Sequence, residues 1–199
     1  YITNVDKNDV EKAVTTYKIP SNKKILGFIG RLDEQKGIIP FIKELSKHKG
    51  KFYDSVIILV GSGSQEEEIK AIIKKLNLED LFILTGFQEN IKSFYLIIDV
   101  FFLPSLYEGL PMVLLEAMAF KKPIISMDVG SIKEVIINEE TGILINEGDY
   151  QGFIKELIKL KNDDMLREKL ALKGFEYVNK NYNIKNYENN IGKLYKQLI

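Results

Sequence analysis

Pro104-Ser-Leu-Tyr-Glu-Gly-Leu-Pro-Met-Val-Leu-Leu-Glu-Ala-Met-Ala119 is the stretch around which the rest of the chain reads. Immediately before it, Asp99-Val-Phe-Phe-Leu103 is a short apolar and aromatic run, the pattern of a buried strand. Gly109 and Pro111 break that strand. Pro111 suits the first turn of a following helix, where its missing N–H has no partner to lose. Met112 to Ala119 are strong helix formers. Glu108 is therefore expected in a strand-to-helix turn, and Glu116 about two turns into the helix. The first turn of a helix carries unpaired N–H groups and the positive end of the dipole, which together attract anions. A carboxylate in the turn, a bare helix N-terminus and a second carboxylate along the helix suit a ligand with a phosphate centre and hydroxyl ends.

Outward from this stretch, short apolar runs alternate with amphipathic ones. Strands are expected at Lys24 to Ile29, Ser55 to Val60, Leu81 to Leu84, Asp99 to Leu103, Pro123 to Ser126 and Gly142 to Ile145. Between them the periodicity predicts helices near Asn8 to Tyr17, Ile38 to Lys47, Ile91 to Ile97 and Ile132 to Ile136. Ser64-Gln-Glu-Glu67 reads as a capping box opening a further helix. Two more helices follow, from Asp149 to about Lys161 and from Met165 to Asn181, with Asp163-Asp164 as a cap. Strand–helix alternation implies parallel pairing with right-handed crossovers, hence an α/β, doubly wound, Rossmann-like parallel six-stranded sheet with helices on both faces. Ligands of such sheets bind beyond the carboxyl ends of the strands. The turns at those ends hold Gly30-Arg31, Gly61 to Gly63, Gly86-Phe87, Ser105 to Gly109 and Asp128 to Ser131, so the unusual residues share one rim.

Composition bounds the alternatives. The chain has 199 residues, 45% hydrophobic and 28% charged, as a globular protein does. Lys+Arg and Asp+Glu are both 28, so no charge excess points to nucleic acid. Without cysteine there is no disulfide, thiol nucleophile or cysteine-ligated metal. The single histidine, His48, stands at a helix end, where a cation complements the dipole, and one histidine builds neither a triad nor a zinc set. No leader resembles a signal peptide, and the apolar run from Phe94 to Leu103 is interrupted by Asp99 and too short to span a bilayer. The cytoplasm is the expected address, with peripheral association at the inner face of the membrane as a variant of it.

Gly30-Arg31-Leu32 followed by Lys36-Gly37 is a second constellation. Arg31 and Arg167 are the only arginines against a background of lysines. A guanidinium just past a strand end can grip phosphate oxygens bidentately, and Lys36 can add a point charge. The alternative is a solvated loop in which Arg31 pairs with Asp33 or Glu34. Gly61-Ser-Gly-Ser64 invites a dinucleotide reading, but Glu66 stands where G-x-G-x-x-G needs its last glycine.

Taken together, Glu108-Gly-Leu-Pro-Met-Val-Leu-Leu-Glu116 resembles the E-x7-E signature of the retaining, nucleotide-sugar-dependent glycosyltransferases of family four (group 1). Pro104-Ser105, Tyr107 and Ala117 to Ala119 match that family's context, and Gly30 to Gly37 resembles its G-R-L-x-x-x-K-G motif. The resemblance covers roughly residues 1 to 160. It implies one half of a GT-B fold, the C-terminal, donor-binding domain over residues 1–182. Residues 183–199 would then form a C-terminal helix that either packs on the sheet or crosses toward an N-terminal domain. Tyr1 to Asp6 resembles the segment that follows the inter-domain linker. By the same resemblance, Arg31 and Lys36 hold the donor diphosphate and Glu108 contacts the donor sugar near the reacting centre. Glu116 accepts from the ribose hydroxyls. Gly30 and the N–H groups of Gly109, Leu110 and Met112, beside Pro111, face the sugar and phosphates, and Gln88 and Ile91 lie by the nucleobase. The turn at Gly61 departs from the family's Gly-Asp-Gly-Pro and is assigned a structural or peripheral role. The implied partners are a nucleotide sugar, UDP or GDP as its nucleotide, a hydroxyl acceptor such as a sugar or lipid-linked glycan, and the N-terminal domain. No cofactor and no metal are expected. A non-catalytic nucleotide-sugar binding module remains the other reading.

Overall fold

The computed structural model describes residues 6–182. Within them, six strands form one parallel sheet: β1 (Lys24–Ile29), β2 (Ser55–Val60), β3 (Phe82–Gly86), β4 (Val100–Leu103), β5 (Ile124–Asp128) and β6 (Ile143–Asn146). Their order is β3-β2-β1-β4-β5-β6. The helices are α1 (Lys7–Thr16), α2 (Ile38–Ser46), α3 (Glu66–Lys75), α4 (Lys92–Ile97), α5 (Met112–Ala119), α6 (Ile132–Val135), α7 (Tyr150–Asn162) and α8 (Asp164–Asn181). The sequence proposals for Tyr1 to Val5 and for the helix over 183–199 lie outside the described residues.

Uninterrupted apolar runs in the strands follow from helices covering both faces. Every residue of β2 and β4 is buried. Adjacent strand residues point to opposite faces, and β4 shows what each meets. Phe102 stacks on Phe41 of α2 with ring centres 4.6 Å apart, and Phe41 in turn meets Phe153 of α7 edge-on at 5.9 Å. Phe101 lies 5.9 Å from Tyr95 of α4, whose ring stacks at 5.1 Å on Phe120, just past α5. One face is thus roofed by α2 and α7, the other by α4 and α5, with α8 packed on α5 and α1 on α4.

Several boundaries differ from the sequence expectation, each for a non-local reason. β3 starts at Phe82 and runs to Gly86, because Gly86 pairs with Val60 across a register shift. β5 runs to Asp128, which pairs with Asn146. The capping box does not form. α3 begins at Glu66 behind Gln65 with no side-chain cap, and Ser64 instead gives its N–H and hydroxyl to Asp33 Oδ1 at 2.9 and 3.0 Å. The Asp163 cap does form, accepting from Leu166 N–H, and Asp149, expected as the first residue of its helix, instead caps α7 by accepting from Gly152 N–H. Arg167 is buried and spends its guanidinium on the carbonyls of Leu160 and Lys161 and on Asp164, closing the end of α7.

Candidate functional site

The strand order reverses its direction of growth between β1 and β4, the switch point at whose carboxyl edge doubly wound sheets hold their ligand crevice. The loop after β1 carries Gly30 to Gly37, and the loop after β4 carries Pro104 to Pro111. Main-chain and side-chain bonds fasten the two together. Leu106 N–H donates to the Gln35 carbonyl at 2.8 Å, and the Gln35 amide donates to the Tyr107 carbonyl at 3.0 Å. The half-buried Tyr150 at the start of α7 donates to the Pro104 carbonyl at 3.2 Å, and burial pushes its phenol up to about 12. Two glycines permit close approaches here. Gly37 has φ +64°, and a Cβ there would fall 2.1 Å from the Pro104 oxygen; Gly130, at φ +57°, would place one 1.8 Å from the Glu108 oxygen. Only glycine combines that backbone with that proximity.

Two of the sequence-predicted charges meet directly. Lys36 Nζ lies 2.6 Å from Glu108 Oε1, with side-chain exposures of 13% and 5%. Ser105, itself buried, donates its hydroxyl to the same oxygen at 2.6 Å. A carboxylate this enclosed requires such partners. Arg31 behaves differently. Its side chain is 71% exposed, and its Nη1 pairs with Asp33 Oδ2 at 2.9 Å, the contact the solvated-loop alternative anticipated. Asp33 in turn is held by Ser64. Those two hydrogen bonds, opposed by partial desolvation and helped by Arg31 and Lys36, keep its carboxyl below the usual range. Arg31 is therefore held through its guanidinium by Asp33 while most of its side chain stays open to solvent.

α5 leaves the second loop. Pro111 is its cap in an extended conformation (φ −76°, ψ 104°) rather than its first-turn residue, and no side chain caps the helix. Gly109, Leu110 and Met112 are exposed around that N-terminus. Helix formation only from Met112 corrects the depth of Glu116: it sits four residues on, a little over one turn of 3.6 residues. Glu116 Oε2 accepts from the Tyr95 hydroxyl at 2.8 Å. Burial, then the neighbouring charge and hydrogen bond of Glu116, drive the Tyr95 phenol well above its ordinary range. Glu116 and Tyr95 line a cavity of about 380 Å³ together with Ile91, Met112, Leu115 and Phe120.

The structure thus gathers Gly30, Arg31, Lys36, Glu108 and the start of α5 at the crevice, and Ile91, Met112 and Glu116 at the cavity. Gln88 goes elsewhere. Its amide donates to the Tyr17 hydroxyl at 2.6 Å and to the Thr85 carbonyl at 2.9 Å, in a separate hollow beside α1. His48 lies past the end of α2, its Nε2 3.7 Å from Glu44. The Gly61 turn packs under the first loop, with Leu32 N–H donating to the Ser62 carbonyl and Gln65 N–H to that of Leu32. Sequence reading overlooked Tyr95 and gave Ser105 no role. The signal for Tyr95 was a phenol in a segment that is otherwise headed for the core, since a buried hydroxyl must find a partner. Among the described residues, no three or more His, Cys, Asp or Glu side chains are grouped so as to hold a metal ion, and no helix is long and apolar enough to cross a membrane.

Comparison with known proteins gives these features a setting. The family described as glycosyl transferases group 1 matches residues 9–177. The capsular polysaccharide biosynthesis glycosyltransferase CapM of Staphylococcus aureus is 28% identical over 171 residues, 85% of this chain and 44% of the relative. The Escherichia coli UDP-Gal:alpha-D-GlcNAc-diphosphoundecaprenol alpha-1,3-galactosyltransferase is 30% identical over 166 residues, 81% of this chain and 42% of the relative. Among solved structures, the C-terminal domain of the group 1 glycosyl transferase LpcC from Francisella tularensis superposes with a TM-score of 0.79 at 28% identity, covering 92% of this chain and 97% of that one. The chain thus spans less than half the length of these two curated relatives, and nearly the whole of the solved domain.

Proposed function

The chain belongs to the group 1 glycosyl transferases, and from that premise we propose that it is the donor-binding half of a GT-B enzyme. That enzyme transfers a hexosyl group from a nucleoside diphosphate sugar to a hydroxyl acceptor, with retention at the anomeric carbon. The observation that carries this reading is the convergence at the β1/β4 switch point: an exposed arginine, the enclosed Lys36–Glu108 pair and an uncapped helix N-terminus all lie on, or at the end of, the two loops that leave β1 and β4. Arg31, Lys36 and the α5 N-terminus face the diphosphate and stabilise the charge that develops on it as the glycosidic bond breaks, an electrostatic contribution. Glu108 contacts the hexose, and Glu116 accepts from the ribose hydroxyls. On this reading donor binding proceeds without a divalent metal. A second domain contributes most of the acceptor site, and transfer follows closure of the two. The nucleotide is UDP or GDP, the acceptor a sugar or lipid-linked glycan of surface polysaccharide or glycolipid synthesis, and the work takes place at the cytoplasmic side.

Calorimetric titration of the 199-residue chain with UDP, GDP and ADP, with and without magnesium, tests this reading. Selective binding of one nucleotide is expected, insensitive to magnesium and weakened at least about tenfold by Arg31→Ala or by Glu116→Ala. Failure of every nucleotide to bind would overturn the donor-binding assignment.

A further inference from the structure

Tyr95 is almost wholly buried, 1% exposed, yet its hydroxyl reaches a residue that lines a cavity. Its ring is clamped, stacked on Phe120 at 10° between planes and 5.9 Å from Phe101. Two acceptors lie within its range: the Val113 carbonyl at 3.3 Å and Glu116 Oε2 at 2.8 Å. Val113 alone would satisfy the phenol, so the shorter bond to the carboxylate is more than the core requires. A phenol carries one proton, and the closer, charged acceptor is the stronger partner. For Glu116 the consequence is larger. A free glutamate at this depth of a helix samples several side-chain rotamers, and a donor fixed in a packed core selects one. Of the roughly four lone-pair sites of a carboxylate, the phenol uses one and leaves the others for a ligand.

We propose that Tyr95 is a positioning residue for ribose recognition: it locks the Glu116 carboxylate so that the vicinal hydroxyls of a ribonucleotide meet a preset acceptor. The inference rests on the reading of Glu116 as the ribose contact. Preset acceptors discriminate sharply, because an analogue lacking the hydroxyl leaves them unpaired, whereas a loose carboxylate turns to water instead.

The test uses the 199-residue chain with UDP, GDP and ADP, each paired with its 2′-deoxy counterpart, and with inorganic pyrophosphate, which has no ribose. The wild type is expected to prefer the ribonucleotide at least about tenfold. Tyr95→Phe retains the stacked ring and removes one oxygen. It is expected to weaken the ribonucleotide about tenfold, to weaken the 2′-deoxy form much less, and to leave pyrophosphate unchanged. Glu116→Asp, which draws the carboxylate away from an unaltered core phenol, should lose the same preference and provides the reading if the Phe variant folds poorly. Equal weakening of both sugars by Tyr95→Phe, loss of pyrophosphate binding with it, or an undiminished preference in either variant would overturn the positioning role. Glu116→Ala separates the two levels. If it abolishes the ribose preference while Tyr95→Phe keeps it, the ribose contact stands and only the positioning fails. If it keeps the preference, or if the wild type binds no nucleotide, the ribose contact itself fails and the positioning role falls with it.

Discussion

Replacing Lys36 by methionine keeps the reach of the side chain and removes its charge. Glu108 is then left with its side chain 5% exposed and with the Ser105 hydroxyl at 2.6 Å as its anchor. Stranding one member of a buried ion pair costs about 3–5 kcal/mol. The 13% exposure of Lys36 shows that water reaches the pair, which sets the expectation at the lower end, about 3 kcal/mol. For a domain of this size, that is a fall in Tm of about 6–12 °C. Glu108→Gln strands the ammonium instead, but a lysine stem can swing its head toward water, so about 2 kcal/mol is expected. The double variant has no stranded charge and should cost no more than the larger single change, which gives a coupling energy of about 2 kcal/mol. Urea unfolding followed by far-UV circular dichroism suits a chain without tryptophan, and unchanged m-values would show that the same surface unfolds in each variant. If the two single costs simply add in the double variant, the 2.6 Å contact carries no coupling, and Lys36 does not fix Glu108.

Three further outcomes follow from the same rim. Gly130→Ala must hold alanine at φ +57° with its Cβ 1.8 Å from the Glu108 oxygen; it should cost more than about 2 kcal/mol in thermal unfolding, since the left-handed backbone alone costs about 1–2. Ser105→Ala deletes one hydrogen bond to a charged oxygen and leaves the Lys36 contact, so a loss of about 1–2 kcal/mol in urea is expected, and no loss would show that bond to be idle. The third concerns alkaline pH. Burial and Glu116 favour the protonated Tyr95 phenol in the folded state, raising its pKa above the unfolded value near 10. Its stabilisation is therefore complete below about pH 10 and declines above it at about 1.4 kcal/mol per pH unit. The stability gap between wild type and Tyr95→Phe should narrow with that slope from about pH 10 to 11, and a constant gap would contradict the assignment.

The strands were legible because each is an apolar run too short for a helix and bounded by glycine or proline, Ser55–Val60 most plainly. Their ends were less so, since Gly86 and Asp128 join the sheet only through partners on other strands, Val60 and Asn146. Ser64 shows the same limit for side chains: three residues before Glu67 it reads as half of a capping box, but the fold brings it against Asp33 and the box is lost. Pro111 misled by one position, and Glu116 consequently lies closer to the helix start than its sequence suggested. The residues of the rim could be named from their places in turns after strands, but which of them touch could not. Lys36 and Glu108 are separated by 72 positions and Tyr95 and Glu116 by 21, and no local spacing encodes either pair.

Gly37 and Gly130 press main chain against main chain, so peptide contacts as well as side-chain bonds set the course of the rim. Leu110 and Met112, 48% and 59% exposed, sit on that course without supporting it. The arrangement separates chassis from tooling. Drift or deliberate engineering can exchange the projecting tips and so retune what the crevice accepts, while the interlocked peptides beneath keep its shape. Diversity should accordingly collect at these tips among descendants of this chain, and a library confined to them should return folded proteins far more often than one that admits the two glycines.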